Sequence, residues 1–368
     1  MQPGQHAILY GERGVGKTSL AKVFSEVLSA AGIATLRSGT VNCDPTDDYS
    51  SLWHKAFREI TFKTKTAAAY FGTGSSENEV YLDSLVTDKI RPDDVRFALS
   101  ASRQKTIIVF DEFDRLQNDQ CKILIADTIK NLSDHTVDVT LILVGVAQSV
   151  SDLIAHHQSI DRALVQVPMP RMSRSELGEI IDKGLATTTV TMEDSVKDKI
   201  IRLSHGLPHF THLLTLESGK AAIKRDSMKI DDADFSSCVS EIVKNKQTIA
   251  AAYYEAVASS HKSSTHKLSL LACALSTIDD HGFFQASSVS KTMEMLTSHQ
   301  CSVSDVQRHL NEFITEKRKK VLERHGSPRR YRYRFADPMV QPYTIIHSLS
   351  DKLITESQLW IMDQPYFG

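Results

Sequence analysis

The chain has 368 residues, enough for two or three domains and a sizeable core. Its 43 Lys and Arg stand against 45 Asp and Glu, a formal net charge of −2, which excludes binding to nucleic acid through bulk charge and leaves only a local patch for such a role. Five scattered cysteines without a Cys-x-x-Cys pair, no apolar run near the ~18 residues that span a bilayer, and no basic-then-apolar leader predict reduced, buried thiols in a soluble, cytoplasmic protein with no membrane partner.

The first element is a short apolar strand at residues 6–10, followed by Gly11-Glu12-Arg13-Gly14-Val15-Gly16-Lys17-Thr18. This fits G-x-x-x-x-G-K-[ST] at every fixed position. Residues 19–29 then read as a helix with Leu20, Val23, Phe24, Val27 and Leu28 on one face. Strand, glycine loop and helix make a phosphate cradle. Glycines let backbone N–H groups converge on an anion, and the helix N-terminus adds partial positive charge there. Gly11, Gly14, Val15, Gly16, Lys17, Thr18 and Ser19 are the candidate nucleotide-binding residues. Lys17 can reach the β- and γ-phosphates of ATP, and the Thr18 hydroxyl can ligate Mg²⁺.

Residues 33–42 predict a second strand, and 49–60 an amphipathic helix with Leu52, Trp53, Ala56, Phe57 and Ile60 inward. Residues 61–80, rich in Thr, Gly and Ser, read as a loop, and 81–100 as short helices around Pro92. The run 106–112 is a continuous apolar strand ending in Asp111 and Glu112, as suits a parallel strand buried on both faces. Carboxylates at that end fall where open α/β sheets bind ligands. Asp111 is the candidate Mg²⁺ residue, and Glu112 the candidate general base for the attacking water. Asp114 reads as a capping or solvated residue. A third strand, 139–146, runs into Ala147-Gln148-Ser149. Gln148 is a candidate for contacting the γ-phosphate; a plain loop amide fits the position equally well. The last strand is 165–167, closed by Pro168 and Pro170. Alternating strands and helices imply a doubly wound parallel sheet over residues 1–170.

From residue 171 to 249 the pattern is helical. Ser173-Arg174-Ser175-Glu176 is a capping box opening a helix to residue 185. Helices at 194–204 and 209–224 follow, separated by Gly206-Leu207-Pro208, and the segment reads as a helical lid. Residues 250–350 predict helices at 250–260, 265–276, 284–296 and 303–316, then strands at 321–324 and 330–335 around a Gly-Ser-Pro turn. That order is a winged helix. From 302 to 334 there are ten Lys and Arg against four Asp and Glu, with Arg329, Arg330, Arg332 and Arg334 crowding the hairpin and Tyr331 and Tyr333 between them. Such a hairpin fits duplex DNA, with helix 303–316 in the major groove; a solvated basic face or a surface for an acidic protein fits as well. Residues 351–368 read as a tail.

The order of phosphate loop, Asp-Glu strand, polar-ended strand, helical lid and winged helix resembles the AAA+ ATPases. Within them it is most similar to the origin-recognition initiator branch and to transposon-helper ATPases. The resemblance covers roughly residues 5–345. It implies that 144–148 is the sensor-1 strand, with Gln148 where that family usually has Asn. It also makes Arg162 a candidate arginine finger acting on a neighbour's γ-phosphate, a surface ion pair being the other reading. The segment Ser204-His205-Gly206-Leu207-Pro208-His209 resembles the G-x-P element of STAND switch ATPases, which implies that Pro208 packs near adenine. His209 falls close to the sensor-2 arginine of the initiators, and as a histidine it departs from that chemistry. The chain starts almost at the first core strand, where relatives carry a further helix and loop that close over adenine. Together these imply an ATP- and Mg²⁺-dependent switch acting in an oligomer on DNA, or with a separate effector protein.

Overall fold

The computed structural model describes residues 4–30, 37–66, 76–101, 105–147, 149–154, 160, 162–245, 247–258, 265–328 and 330–362. Gln148 and Arg329 lie outside the described residues. The chain divides into two compact units: Met1–Gly11 with Gly16–Met169, and Glu12–Val15 with Pro170–Gly368.

In chain order the first unit contains β1 (His6–Gly11), α1 (Lys17–Ala30), β2 (Arg37–Asn42), α2 (Tyr49–Arg58), β3 (Thr61–Thr66), β4 (Ser76–Tyr81), α3 (Pro92–Ala101), β5 (Thr106–Asp111), α4 (Asp119–Asp134), β6 (Val139–Val146), α5 (Val150–Leu153) and β7 (Leu164–Met169). Five strands form one sheet in the order β2-β5-β6-β1-β7, and every pairing is parallel. Side chains alternate along each strand, so Ile8, Ile108 and Phe110 enter one core while Ala7, Leu9, Ile107 and Val109 enter the other. The first core is large. Trp53 and Phe57 of α2 pack at a tilt with ring centres 5.3 Å apart, and Trp53 meets Phe110 edge-on at 5.3 Å. The second core is thin, with Ala21 of α1 buried and Phe24 packed against it. The apolar face expected of α1 is therefore split: Leu20, Val23 and Val27 are exposed. Pro168 sits within β7, tolerated because β7 is an edge strand.

Residues 61–66 and 76–81 correct the sequence reading: instead of loop they form the two-stranded antiparallel ribbon β3–β4, with Thr61 opposite Tyr81 and Thr66 opposite Ser76, while 67–75 lie outside the described residues.

The second unit begins with α6 (Arg174–Ala186), β8 (Thr191–Met192), α7 (Asp194–Leu203), α8 (Pro208–Lys224), β9 (Lys229–Ile230) and α9 (Asp232–Asn245). Ser173 accepts from the Glu176 N–H and completes a capping box, as expected. Pro208 opens α8 at the first turn, where its missing N–H costs nothing. Then come α10 (Gln247–Val257), α11 (Thr265–Ala274), β10 (Phe284–Gln285), α12 (Ala286–Thr297), α13 (Val303–Phe313), β11 (Leu322–His325), β12 (Arg332–Phe335), α14 (Val340–Ser350) and α15 (Glu356–Met362). The three strands form an antiparallel sheet in the order β10-β12-β11. Helix α14, buried at every residue from 340 to 348, has no counterpart in the sequence reading, and α15 replaces part of the expected tail. All five cysteines are free; four are buried, and Cys301 is half-buried rather than buried as expected. Among the described residues no helix is long and apolar enough to cross a membrane.

One buried polar group in the first unit sets a pH limit. His6 is fully buried on β1, and its Nδ1 accepts the Leu141 N–H at 3.0 Å. Burial pushes this imidazole down to about 4. Its folded-state value lies below the unfolded one, so its contribution is complete above pH ~6.5 and is lost as pH falls toward 4, a span worth about 3 kcal/mol. Denaturant titrations across that range should show stability falling with acid, and the His6→Asn variant, whose amide oxygen accepts the same bond, should show a flatter profile.

Candidate functional site

The parallel register brings the ends of β1, β5 and β6 to one edge of the sheet: Gly11 pairs with Val146, and Asp111 with Asn42. The chain leaves β1 at Gly11, whose φ of 154° and close approach to the Met169 carbonyl exclude a side chain; a Cβ there would lie 2.4 Å from that oxygen. Gly16, at φ 97°, returns the chain into α1. Lys17 is buried at the first position of α1, and its Nζ donates to the Gly11 carbonyl at 3.0 Å. Thr18 and Ser19 are exposed one and two residues on. A buried ammonium, a helix N-terminus and glycine backbone N–H groups are thus collected at one place, a donor set that suits a polyphosphate.

Asp111 is buried at the end of β5, and its Oδ1 accepts the Glu112 N–H at 2.9 Å. Glu112 is in the left-handed region at φ 55°, and its carboxylate pairs with Arg115 at 2.6 Å. That conformation is costly for a residue with a side chain, and such outliers cluster at functional sites. Asp114 is exposed, as expected of a solvated residue, but it also has a structural role. Its Oδ1 accepts the Val146 N–H at 2.7 Å and ties the turn after β5 to the end of β6. Arg162 is exposed, makes no ion pair among the described residues, and precedes β7. It therefore lies at the opposite end of the sheet from the phosphate loop, about 16 Å along the strand.

Among the described residues no group of three or more His, Cys, Asp or Glu can hold a metal. Asp111 and the Thr18 hydroxyl suit Mg²⁺ only as Mg²⁺ commonly binds, sharing its coordination with substrate phosphates and water.

In the second unit Val15 is buried, Pro208 is buried, and His209 is exposed with its ring edge-on to Phe210 at 5.9 Å. The preceding His205 is left-handed at φ 47°, and burial together with Arg171 and Arg174 pushes its imidazole down to about 3. Sequence reasoning missed Glu12. Its carboxylate is buried and paired with the Arg171 Nε at 2.6 Å, a partner 159 positions away that no local pattern announces.

The basic hairpin is less charged than its sequence suggests. Arg332 pairs with Asp279 at 3.1 Å, and Arg334 pairs with Glu323 at 2.7 Å; both guanidiniums lie over the Phe283 ring. Tyr333 is fully buried, its hydroxyl accepting from Gln307 at 2.7 Å, so it is a core residue and not a surface aromatic. Arg324 stacks on Tyr331 at 4.4 Å, and Arg330 is exposed.

Fold and loop together define a P-loop nucleotide-binding core. Residues 1–154 match the family described as AAA domain. Across longer spans the chain is similar to three solved structures. Aeropyrum pernix Orc1, solved in complex with DNA, is 16% identical at TM-score 0.49, with 95% of this chain and 88% of that chain covered. Cdc6p of Pyrobaculum aerophilum is 14% identical at TM-score 0.47, covering 96% and 90%. RuvB of Thermotoga maritima, a Holliday junction branch migration motor, is 13% identical at TM-score 0.44, covering 89% and 83%. No curated protein matches the chain.

The Gly11 geometry carries a direct consequence. Gly11→Ala should lower the stability of the chain by about 2 kcal/mol or more, because the added methyl meets backbone oxygen and not a movable side chain. Thermal melting of the purified variant beside wild type checks this, and an unchanged melting temperature refutes it.

Proposed function

We propose that this protein binds and hydrolyses ATP with Mg²⁺ and uses the nucleotide as a conformational switch. The observation that carries this reading is the cradle of Gly11, Gly16 and buried Lys17 at the start of α1, at the same sheet edge as Asp111. In this reading Gly11, Gly14, Val15, Gly16, Lys17, Thr18 and Ser19 bind the phosphates. Thr18 and Asp111 hold Mg²⁺, which neutralises phosphate charge when bound. Glu112 accepts a proton from the attacking water once its carboxylate leaves Arg115, and Gln148 contacts the γ-phosphate. Arg162, remote from its own loop, serves a neighbouring copy in a homo-oligomer. Pro208 and His209 line the base side. The organisation we propose is an ATPase core at 1–170, a helical lid at 171–249, a winged helix at 250–350 and a tail at 351–368. The boundary of the compact units after Met169 supports its first division.

The partner in this reading is duplex DNA. Exposed Val303, Ser304, Arg308 and Asn311 of helix α13, and exposed Arg330 of the hairpin, support it. A second reading, a signalling or defence ATPase acting on a separate effector protein, is favoured by the pairing of Arg332 and Arg334 with acidic neighbours, which removes half of the four hairpin arginines from the field a phosphate backbone would meet.

Lys17→Ala should weaken ATP binding by about tenfold or more. Glu112→Gln should bind ATP like wild type but turn it over about 10²–10⁴-fold more slowly. Nucleotide titration and steady-state phosphate release check both; wild-type turnover by Glu112→Gln refutes the assigned base. For DNA, fluorescence anisotropy with a duplex should show salt-sensitive binding that Arg308→Glu and Arg330→Glu weaken more than Arg334→Glu. Absence of binding at low salt would sink the DNA reading and turn the search to a protein partner.

A further inference from the structure

The tip of the phosphate loop, Glu12–Val15, folds with the second compact unit, and three consecutive residues are held there. Glu12 carries the grip. Its carboxylate is 5% exposed, and the Arg171 guanidinium facing it is 2% exposed. Arg171 Nε donates to Glu12 Oε2 at 2.6 Å and Nη2 to Oε1 at 3.3 Å, a two-point fork. The Nη1 of Arg171 donates to the His205 carbonyl at 3.1 Å and to Gln341 Oε1 at 2.8 Å. Gln341 in turn donates from Nε2 to the Ala274 carbonyl at 2.9 Å. Gly282 leaves room for the pair, because a Cβ there would stand 2.2 Å from Glu12 Oε1. The next residues are held more lightly. Arg13 meets Asp337 at 3.9 Å, and Gly14 packs so closely on Met339 that a Cβ would fall 2.0 Å from its terminal methyl.

Resting on the phosphate-loop reading above, we propose that Arg171 is a positioning residue for nucleotide binding. It neutralises and fixes the one carboxylate carried by the loop that must accept a polyanion. Glu12 is shielded from water, so its charge would act on incoming phosphates through a medium of low dielectric. Left without Arg171, that carboxylate opposes phosphate binding and lets the loop tip move. The penalty grows with phosphate charge, so ATP is affected more than ADP. Gln341, at the second residue of α14, shares the same guanidinium, which places the start of that helix one hydrogen-bond step from the loop.

The test is titration of ATP and of ADP into wild type, Arg171→Ala, Arg171→Lys, Glu12→Gln and the Arg171→Ala/Glu12→Gln double variant, each checked for folding by circular dichroism. Arg171→Ala should lose about tenfold or more in ATP affinity and less for ADP, since it takes the two-point fork away from a buried carboxylate. Arg171→Lys, which keeps the charge without the fork, should fall between it and wild type. Glu12→Gln should bind ATP as wild type or more tightly, and in the double variant it should restore most of the loss. Should Arg171→Ala not fold, Arg171→Lys alone and combined with Glu12→Gln reads the same rescue. Wild-type affinity in Arg171→Ala, or a double variant as weak as the single, overturns the proposal while leaving the phosphate loop intact. Failure of the wild-type chain to bind either nucleotide overturns the phosphate-loop reading and this proposal with it.

Discussion

The structure turns on how β1 ends. This strand is hydrogen-bonded on both sides, to β6 and to β7, and its core-facing residues are buried. The chain must pass from that interior position into a helix within a few residues, so several N–H groups lose strand partners before they can gain helical ones. Glycine at 11 admits the Met169 carbonyl, and glycine at 16 turns the chain back. Beside that turn the buried Lys17 ammonium donates to the Gly11 carbonyl at the start of α1, a place that suits an anion. The parallel register does the rest. With β5 and β6 aligned to β1, the carboxylate of Asp111 arrives at the same edge although it lies a hundred residues downstream.

This explains why the core of the site was legible in the sequence. A phosphate loop is local, and its spacing is set by one turn and one helix start. The Asp-Glu strand is equally local: four apolar residues followed by two acids. What escaped notice is either weakly patterned or distant. The β3–β4 ribbon is made of Thr, Lys, Glu and Ser, with Phe62 and Val80 its main apolar members, so no alternation betrays a buried face. Helix α14 is hidden for the opposite reason. A helix buried all round has no polar face to give it a period. Glu12 occupies a variable position of the loop motif, and its partner is set by tertiary packing alone.

The hairpin shows a different limit. Counting charges along 302–334 treats each as free in solution. In the fold, Asp279 comes from 53 residues before Arg332, outside any such window, and Glu323 faces Arg334 across the β11–β12 pair. The field that a phosphate backbone would meet depends on the charges left unpaired, and on α13 even the exposed Arg308 pairs with Glu312 at 3.6 Å, whereas Arg330 of the hairpin is exposed. Tyr333 makes the same point for aromatics: interleaving in sequence put it beside the arginines, but strand alternation turned it inward.

A buried ion pair such as Glu12–Arg171 is poorly suited to raising stability, since desolvating two charges consumes most of what their attraction returns. Its use is geometric. A guanidinium with its donors spread over Glu12, the His205 carbonyl and Gln341 fixes three segments far apart in sequence, and any rearrangement that breaks one of those bonds leaves a buried charge short of partners. A switch driven by one phosphate needs elements of this kind, because a ligand shifts an equilibrium only by as much as it binds one arrangement better than the other. In the proposed reading, the tip of the phosphate loop is the part whose position is set by hydrogen bonds of the second unit, through the Glu12–Arg171 pair.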